Sequence, residues 1–426
     1  MPLKLPHYST EGFKDRNDEI EDVKRTMDRI SAGEKLPSRT LVFRGASGLG
    51  KSWLSIHLKR TILTNENTLA LFIGLGARYD QILNDRQPET EWLLPPSAHS
   101  ETVRALALWI AAKVGSTRAA DATAHQITSW LIQSLERPAF GTSGPGYRFL
   151  ALILDSVFEA DWALLEALET ALLAPLAALP NVIIIITGRG RAYPWKSPYL
   201  SMPIVSRDLR SFVEAPKAED PYQYLRAQLA SQMPGVMFEE ERLHKIATIG
   251  EGYPKNNLLV AQFEEQEAKG EQLDPSVIIE EVLSFIEDAT ERREIRGYLE
   301  ALCVLDDGFR ENQIGPLYST RLNKPKTSMS LPESRAIRDK LVERHVVRWE
   351  AGRYVIDRSL RSIILYVLQE QDRRNNTKVI SKLHECAATL YKEWATQYDS
   401  SYYGDLAKKH LAQIPSDTLV QLSGSP

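Results

Sequence analysis

Along the first half of the chain, apolar positions fall into two registers. Ile20, Val23, Met27 and Ile30 recur every three or four residues among charges, which predicts an amphipathic helix over 19–30. Thr40–Arg44 is short and partly β-branched and reads as a strand. Unbroken apolar runs at 69–73, 150–154 and 182–186 are of the kind a parallel sheet buries on both faces. Helical spacing at 102–114, 127–135 and 162–179 separates those runs, so strands alternate with helices as a parallel α/β fold requires. Segment 140–147, rich in glycine with one proline, reads as a loop.

Beyond residue 205 the long apolar runs stop and charged amphipathic helices take over, as at 221–229 and 239–249. This change predicts an α/β domain over 1–205 followed by a helical lid domain over 206–287. Helices, a segment 341–347, a turn at 350–352 and a short strand Arg353–Ile356 come next, an order that suggests a winged helix over 288–372. Residues 373–426 read as a helical hairpin, in which Ala387, Ala388 and Ala407 allow close packing, and a disordered tail ending in Ser-Gly-Ser-Pro.

A length of 426 residues, 43% apolar and 25% charged, suits several packed units rather than one. The net charge of −4 exerts no global pull on polyphosphate surfaces, so nucleic-acid contact would need a local basic patch. Cys303 and Cys386 form no CxxC or Cys/His cluster and read as reduced, buried thiols. No apolar run approaches the ~20 residues a bilayer requires, so the expectation is a cytoplasmic protein without membrane contact.

The most specific signal lies at 45–52, Gly-Ala-Ser-Gly-Leu-Gly-Lys-Ser, which satisfies G-x-x-x-x-G-K-[ST] between a strand and a helical stretch opening near Trp53. Gly45, Gly48 and Gly50 permit main-chain angles other residues avoid. Together with Ala46, Ser47 and Leu49 they can turn successive N–H groups inward around phosphate oxygens, helped by the positive end of the following helix. Lys51 would reach the β- and γ-phosphates, and the Ser52 hydroxyl would complete the shell of a Mg²⁺ ion. The expected ligands are ATP or ADP with Mg²⁺.

Such a site needs a second metal anchor at a strand end, and Asp155 closes the apolar run 150–154. Its alternative role is a helix N-cap. Ser156 follows where many hydrolysing ATPases carry a second acid, and Glu159 or Asp161 would have to substitute, so hydrolysis should be slow without a partner. Arg189, after Thr187 and Gly188 at the end of another strand, either senses a γ-phosphate or pairs with a surface carboxylate, and neighbouring Arg191 reads more as the latter.

The order of these motifs resembles the STAND class of signal-transduction ATPases, an AAA+-related group that includes NB-ARC and NACHT proteins and bacterial regulators related to the maltose activator. Phe13-Lys14-Asp15-Arg16 with Glu19 resembles the N-terminal F-x-G-R-x-x-E element near the nucleotide base, with Asp15 in place of its glycine. Thr187-Gly188-Arg189 resembles the T-[TS]-R sensor. Gly252-Tyr253-Pro254 resembles the G-x-P motif, whose proline packs on the nucleotide, although a plain turn before a helix gives the same residues. Residues 353–358 resemble the M-H-D segment, with Ile356 at the histidine position, which weakens the expected ADP latch. The tail from Leu383 through His410 resembles the first helical hairpin after the winged helix in maltose-activator-like members.

This resemblance implies a switch closed by ADP and opened by ATP into a homo-oligomer, with sensor and effector functions on partner proteins or on parts of the protein beyond this chain. The alternative is an AAA+-type DNA-binding initiator or loader, whose winged helix would set Arg321, Lys324, Lys326, Arg335 or Arg338 on phosphates. Ser156 and the near-neutral charge disfavour it. A P-loop kinase is a third reading, and no acceptor-substrate site is apparent for it.

Overall fold

The computed structural model describes residues 3 and 5–414 apart from 77–78, 80–81, 84, 95–99, 117–120, 142–145, 191, 215–221 and 325–328. Part of the 140–147 loop, Pro221, Arg191, Lys326 and the terminal Ser-Gly-Ser-Pro therefore lie outside the described residues. The chain forms two compact units: the first spans Leu5–Glu239, and the second starts at Glu240 and also takes in Leu3.

The first unit is built on a six-stranded parallel sheet. Its strands are β1 (Thr40–Arg44), β2 (Thr68–Gly74), β3 (Glu91–Leu93), β4 (Phe149–Asp155), β5 (Val182–Gly188) and β6 (Val205–Asp208), in the spatial order β3-β2-β4-β5-β1-β6. The three long apolar runs and the short strand β1 occupy the middle, where every residue of β5 is buried. Two strands carry too little pattern to be read from sequence. β3 has three residues, and β6 is an edge strand that leaves Ser206 and Asp208 exposed. β6 is held by its pairing to β1 and by Arg207, which donates to Asp22 at 2.6 Å.

Eight helices accompany the sheet among the described residues: α1 (Asn17–Ser31), α2 (Lys51–His57), α3 (Ser100–Val114), α4 (Ala124–Leu135), α5 (Trp162–Leu168), α6 (Ala174–Ala177), α7 (Pro198–Ser201) and α8 (Gln223–Gln232). The single helix expected over 162–179 is interrupted, because α5 passes through a π turn, Glu169–Leu173, before α6. Pro175 explains the break. It has no N–H to offer the carbonyl of Ala171, and the Thr128 hydroxyl of α4 donates to that carbonyl instead, at 2.6 Å.

Among the described residues the second unit is helical apart from one hairpin. It comprises α9 (Glu240–Gly250), α10 (Pro254–Ala268), α11 (Ser276–Val282), α12 (Ala289–Leu302), α13 (Glu311–Arg321) and α14 (Leu331–Glu343), then the antiparallel pair β7 (Val347–Glu350) and β8 (Arg353–Ile356). α15 (Arg358–Asn375), α16 (Val379–Gln397) and α17 (Ser401–Leu411) complete it. Between α16 and α17 the Nδ1 atoms of buried His384 and His410 lie 2.8 Å apart. Burial, reinforced by His410, pushes His384 down to about 4, and burial lowers His410 as well. Both cysteines are buried and free, as expected.

Candidate functional site

The loop at 45–52 runs from the end of β1 into α2, which starts at Lys51, two residues earlier than its apolar pattern suggested. Gly48 and Gly50 both have left-handed backbones, with φ of 88° and 84°. A Cβ on Gly50 would meet no atom within 4 Å, so glycine is required there by backbone conformation rather than crowding. Lys51 is buried, and its Nζ donates to the carbonyls of Gly45 at 2.8 Å and Ala46 at 2.7 Å. The ammonium is thereby folded back over its own loop.

Strand order determines what faces this loop. β5 separates β1 from β4, so Thr187 near the end of β5 stands between the P-loop and Asp155 at the end of β4. Asp155 is fully buried and surrounded by hydroxyl groups. Its Oδ2 accepts from Ser52 at 2.7 Å and from Tyr79 at 2.7 Å, with a longer contact from Ser156 at 3.4 Å. Its Oδ1 accepts from Thr187, and Ser55 lies 3.3 Å from Oδ1 and 3.1 Å from the Thr187 hydroxyl. A carboxylate offers about four lone-pair sites, so these groups saturate it. Asp155 therefore caps no helix.

The acids after Asp155 are engaged elsewhere. Asp161 is the N-cap of α5, accepting from Ala163 N at 2.7 Å and Leu164 N at 3.3 Å. Glu159 lies 3.2 Å from Arg189 Nε in an ion pair. Ser156 itself sits in the left-handed region at φ 61°. A Cβ on Gly188 would stand 2.9 Å from Phe158 N, so only glycine lets the turn after Asp155 pack this closely on the end of β5.

Arg16 is buried at the N-terminus of α1, where its Nη2 donates to the carbonyl of Leu49 at 2.8 Å and its Nη1 to Asp15 at 2.9 Å. Asp15, which occupies the glycine position of the F-x-G-R element, has φ 65°, and Arg16 has φ 83°. Phe13 stacks on His57 with ring centroids 4.2 Å apart, and Tyr8 meets Trp53 edge-on at 5.5 Å, so the N-terminal segment lies along α2.

Pro254 belongs to the second unit, at the first position of α10. There the turn before it is tied to the start of α15: Glu251 lies 3.0 Å from Arg358 Nε and accepts from Ser362 at 2.8 Å, and Asn256 donates to Ser359 at 2.6 Å. Asp357 caps α15 through Ser359 N at 3.1 Å and Leu360 N at 3.2 Å, and burial holds its carboxyl above the usual range. The two second-unit motifs are thus neighbours, joined by side chains that no sequence spacing connects.

Sequence reasoning missed Tyr79 and Ser55. Ser55 carried a signal, since it falls one helical turn after Lys51 on the buried face of α2. Tyr79 carried none.

The first unit has a P-loop NTPase fold. No protein-family model matches the chain, and no curated protein matches it. Among solved structures it is similar to the Walker-type ATPase of Pyrococcus abyssi, at 15% identity over 85% of this chain and 98% of that one, with a TM-score of 0.47. It is also similar to the ORC2 protein of Aeropyrum pernix, at 12% identity, 88% and 96% coverage and a TM-score of 0.44. For the RuvB branch migration motor of Thermotoga maritima the values are 12%, 88%, 98% and 0.38. Strand order and loop geometry, rather than these likenesses, carry the fold. No helix among the described residues is long and apolar enough to cross a membrane.

The side chains present fit a Mg²⁺–nucleotide. Ser52 commits its proton to Asp155, which turns the hydroxyl lone pairs away from the carboxylate, the orientation a hydroxyl needs to coordinate a cation. Lys51, Ser52 and the glycine-turned amides would hold the phosphates and metal, and Asp155 would anchor the metal side. Bound Mg²⁺ supplies Lewis-acid polarisation of the phosphate oxygens.

Proposed function

We propose that this chain is a nucleotide-operated switch of the STAND type, binding ATP or ADP with Mg²⁺ on the first unit and hydrolysing ATP slowly. The observation that carries the reading is the Lys51, Ser52 and Asp155 constellation combined with Ser156 after the metal anchor. Asp161 is used as a helix cap and Glu159 as the partner of Arg189, so neither is free to orient an attacking water, which favours holding nucleotide over turning it over. Arg189 is the γ-phosphate sensor in this reading, its guanidinium shared between Glu159 and the third phosphate.

The second unit supplies the moving part. The lid is the helical segment read from sequence as 206–287, of which the part from Glu240 onward belongs to the second unit, and 288–372 acts as a winged helix, with Pro254 and the Asp357 segment reading the nucleotide state. ADP favours the closed form and ATP an open homo-oligomer that engages partner proteins. Nucleotide can shift this balance only through an affinity difference between the two forms.

Against the DNA-loader alternative stands the pairing of two of the basic side chains it would use, although Lys324 and Arg335 are exposed. Arg321 lies 2.7 Å from Glu300, and Arg338 is held by Glu311 and Asp339, so neither offers an unshared charge to a phosphate backbone. Particle mass measured with ADP and with a non-hydrolysable ATP analogue tests the proposal. Larger assemblies with the ATP analogue alone support it, and equal mass in both overturns the oligomer-forming switch. Salt-sensitive duplex binding with no change in mass would favour the loader.

A further inference from the structure

Tyr79 stands apart from the expected site. It lies just beyond β2, and its side chain is buried, edge-on to Phe72 at 5.6 Å. The space it fills exists because residue 74 is glycine: a Cβ there would stand 2.5 Å from the Tyr79 ring. Gly74 is also the register partner of Asp155 across the β2–β4 pair, so the strand opposite the metal anchor is hollowed for this side chain. The phenol then donates to Asp155 Oδ2 at 2.7 Å, the same distance and the same oxygen as Ser52.

We propose that Tyr79 is a positioning residue for the metal site, holding the Asp155 carboxylate in the rotamer that receives the Ser52 proton and so aims Ser52 at Mg²⁺. Without the phenol, Oδ2 loses one of its two short donors and the carboxylate can turn about its χ2 bond toward Thr187 and Ser55. Ser52 then loses the acceptor that fixes its proton. The main-chain amides and Lys51, which hold phosphate without the metal, do not depend on this bond. Tyr79 therefore contributes to Mg²⁺-dependent affinity and not to metal-free affinity. The inference rests on the nucleotide-binding reading above.

The test is ADP titration of the full chain by calorimetry, in excess Mg²⁺ and in EDTA, for the natural protein and for Tyr79→Phe, which keeps the ring. Partners one shell removed from a metal typically change its affinity by about 10- to 100-fold. Tyr79→Phe should lower the Mg²⁺ enhancement of ADP affinity about 10-fold and leave the EDTA affinity within about twofold. An unchanged enhancement, or equal losses with and without Mg²⁺, overturns the role of Tyr79 alone. A natural protein that binds no ADP under either condition overturns the nucleotide reading and this inference with it. Should Tyr79→Phe fold poorly, Ser52→Ala in the Tyr79 background provides the check. It should remove the same enhancement, and an enhancement that survives Ser52→Ala overturns the proposal.

Discussion

Arg16 donates from Nη2 to the Leu49 carbonyl across 2.8 Å, so a residue at the head of α1 supports the main chain of the P-loop. A hydrogen bond from a charged donor contributes about 1.5–3 kcal/mol. Arg16→Ala should therefore lower the melting temperature in the absence of nucleotide as well as weaken ADP binding. A variant that melts like the natural protein but binds ADP less tightly would show that Arg16 acts on the ligand rather than on the loop.

Lys51 has no substitute within its loop. Lys51→Ala should reduce ATP and ADP affinity by at least ~100-fold, the scale of losing a buried charge-assisted contact of about 3 kcal/mol. Calorimetry in Mg²⁺ decides this, and affinity retained within about threefold would place the phosphate site elsewhere.

Asp155→Asn should abolish the Mg²⁺ enhancement of nucleotide binding while the protein stays folded. It should also destabilise the first unit, since an amide nitrogen placed at Oδ1 or Oδ2 would face hydroxyl donors with another donor. Titration with and without EDTA, alongside a melting curve, measures both effects. An undiminished enhancement would assign the metal to another residue.

The His384–His410 pair makes the second unit sensitive to acid. His384 titrates near 4 in the folded state against 6.5 ordinarily, so below 6.5 the unfolded chain takes up a proton that the folded chain refuses. The stabilisation is complete above pH 6.5 and is lost as pH falls toward 4. Asp306, which favours the charged form, faces the pair, but Lys409 holds it at 2.8 Å. The melting temperature should drop between pH 7 and pH 5, and His384→Asn should flatten that slope. A slope equal in both proteins would assign it to other groups.

Much of the first unit could be read in advance because its central strands are buried on both faces. Runs such as 182–186 are apolar without alternation, and the glycine loop directly follows the short strand Thr40–Arg44. Asp155 was legible for the same reason, as the first polar residue after such a run. What stayed hidden depends on long-range contact. Tyr79 meets Asp155 across a separation of 76 residues, and nothing near it in sequence forms a motif. β6 has a single apolar residue and is specified by Asp22 of α1. The interruption between α5 and α6 could have been anticipated from Pro175, but the helical period on both sides outweighed one residue.

The joint between Glu251 and α15 has a consequence for genetics. Because Glu251 engages both Arg358 and Ser362 while Asn256 engages Ser359, the turn before α10 and the first turn of α15 form one mechanical piece. Damage at Ser359 or Ser362 should then be repairable from positions 250–256, so second-site suppressors of one segment should map to the other.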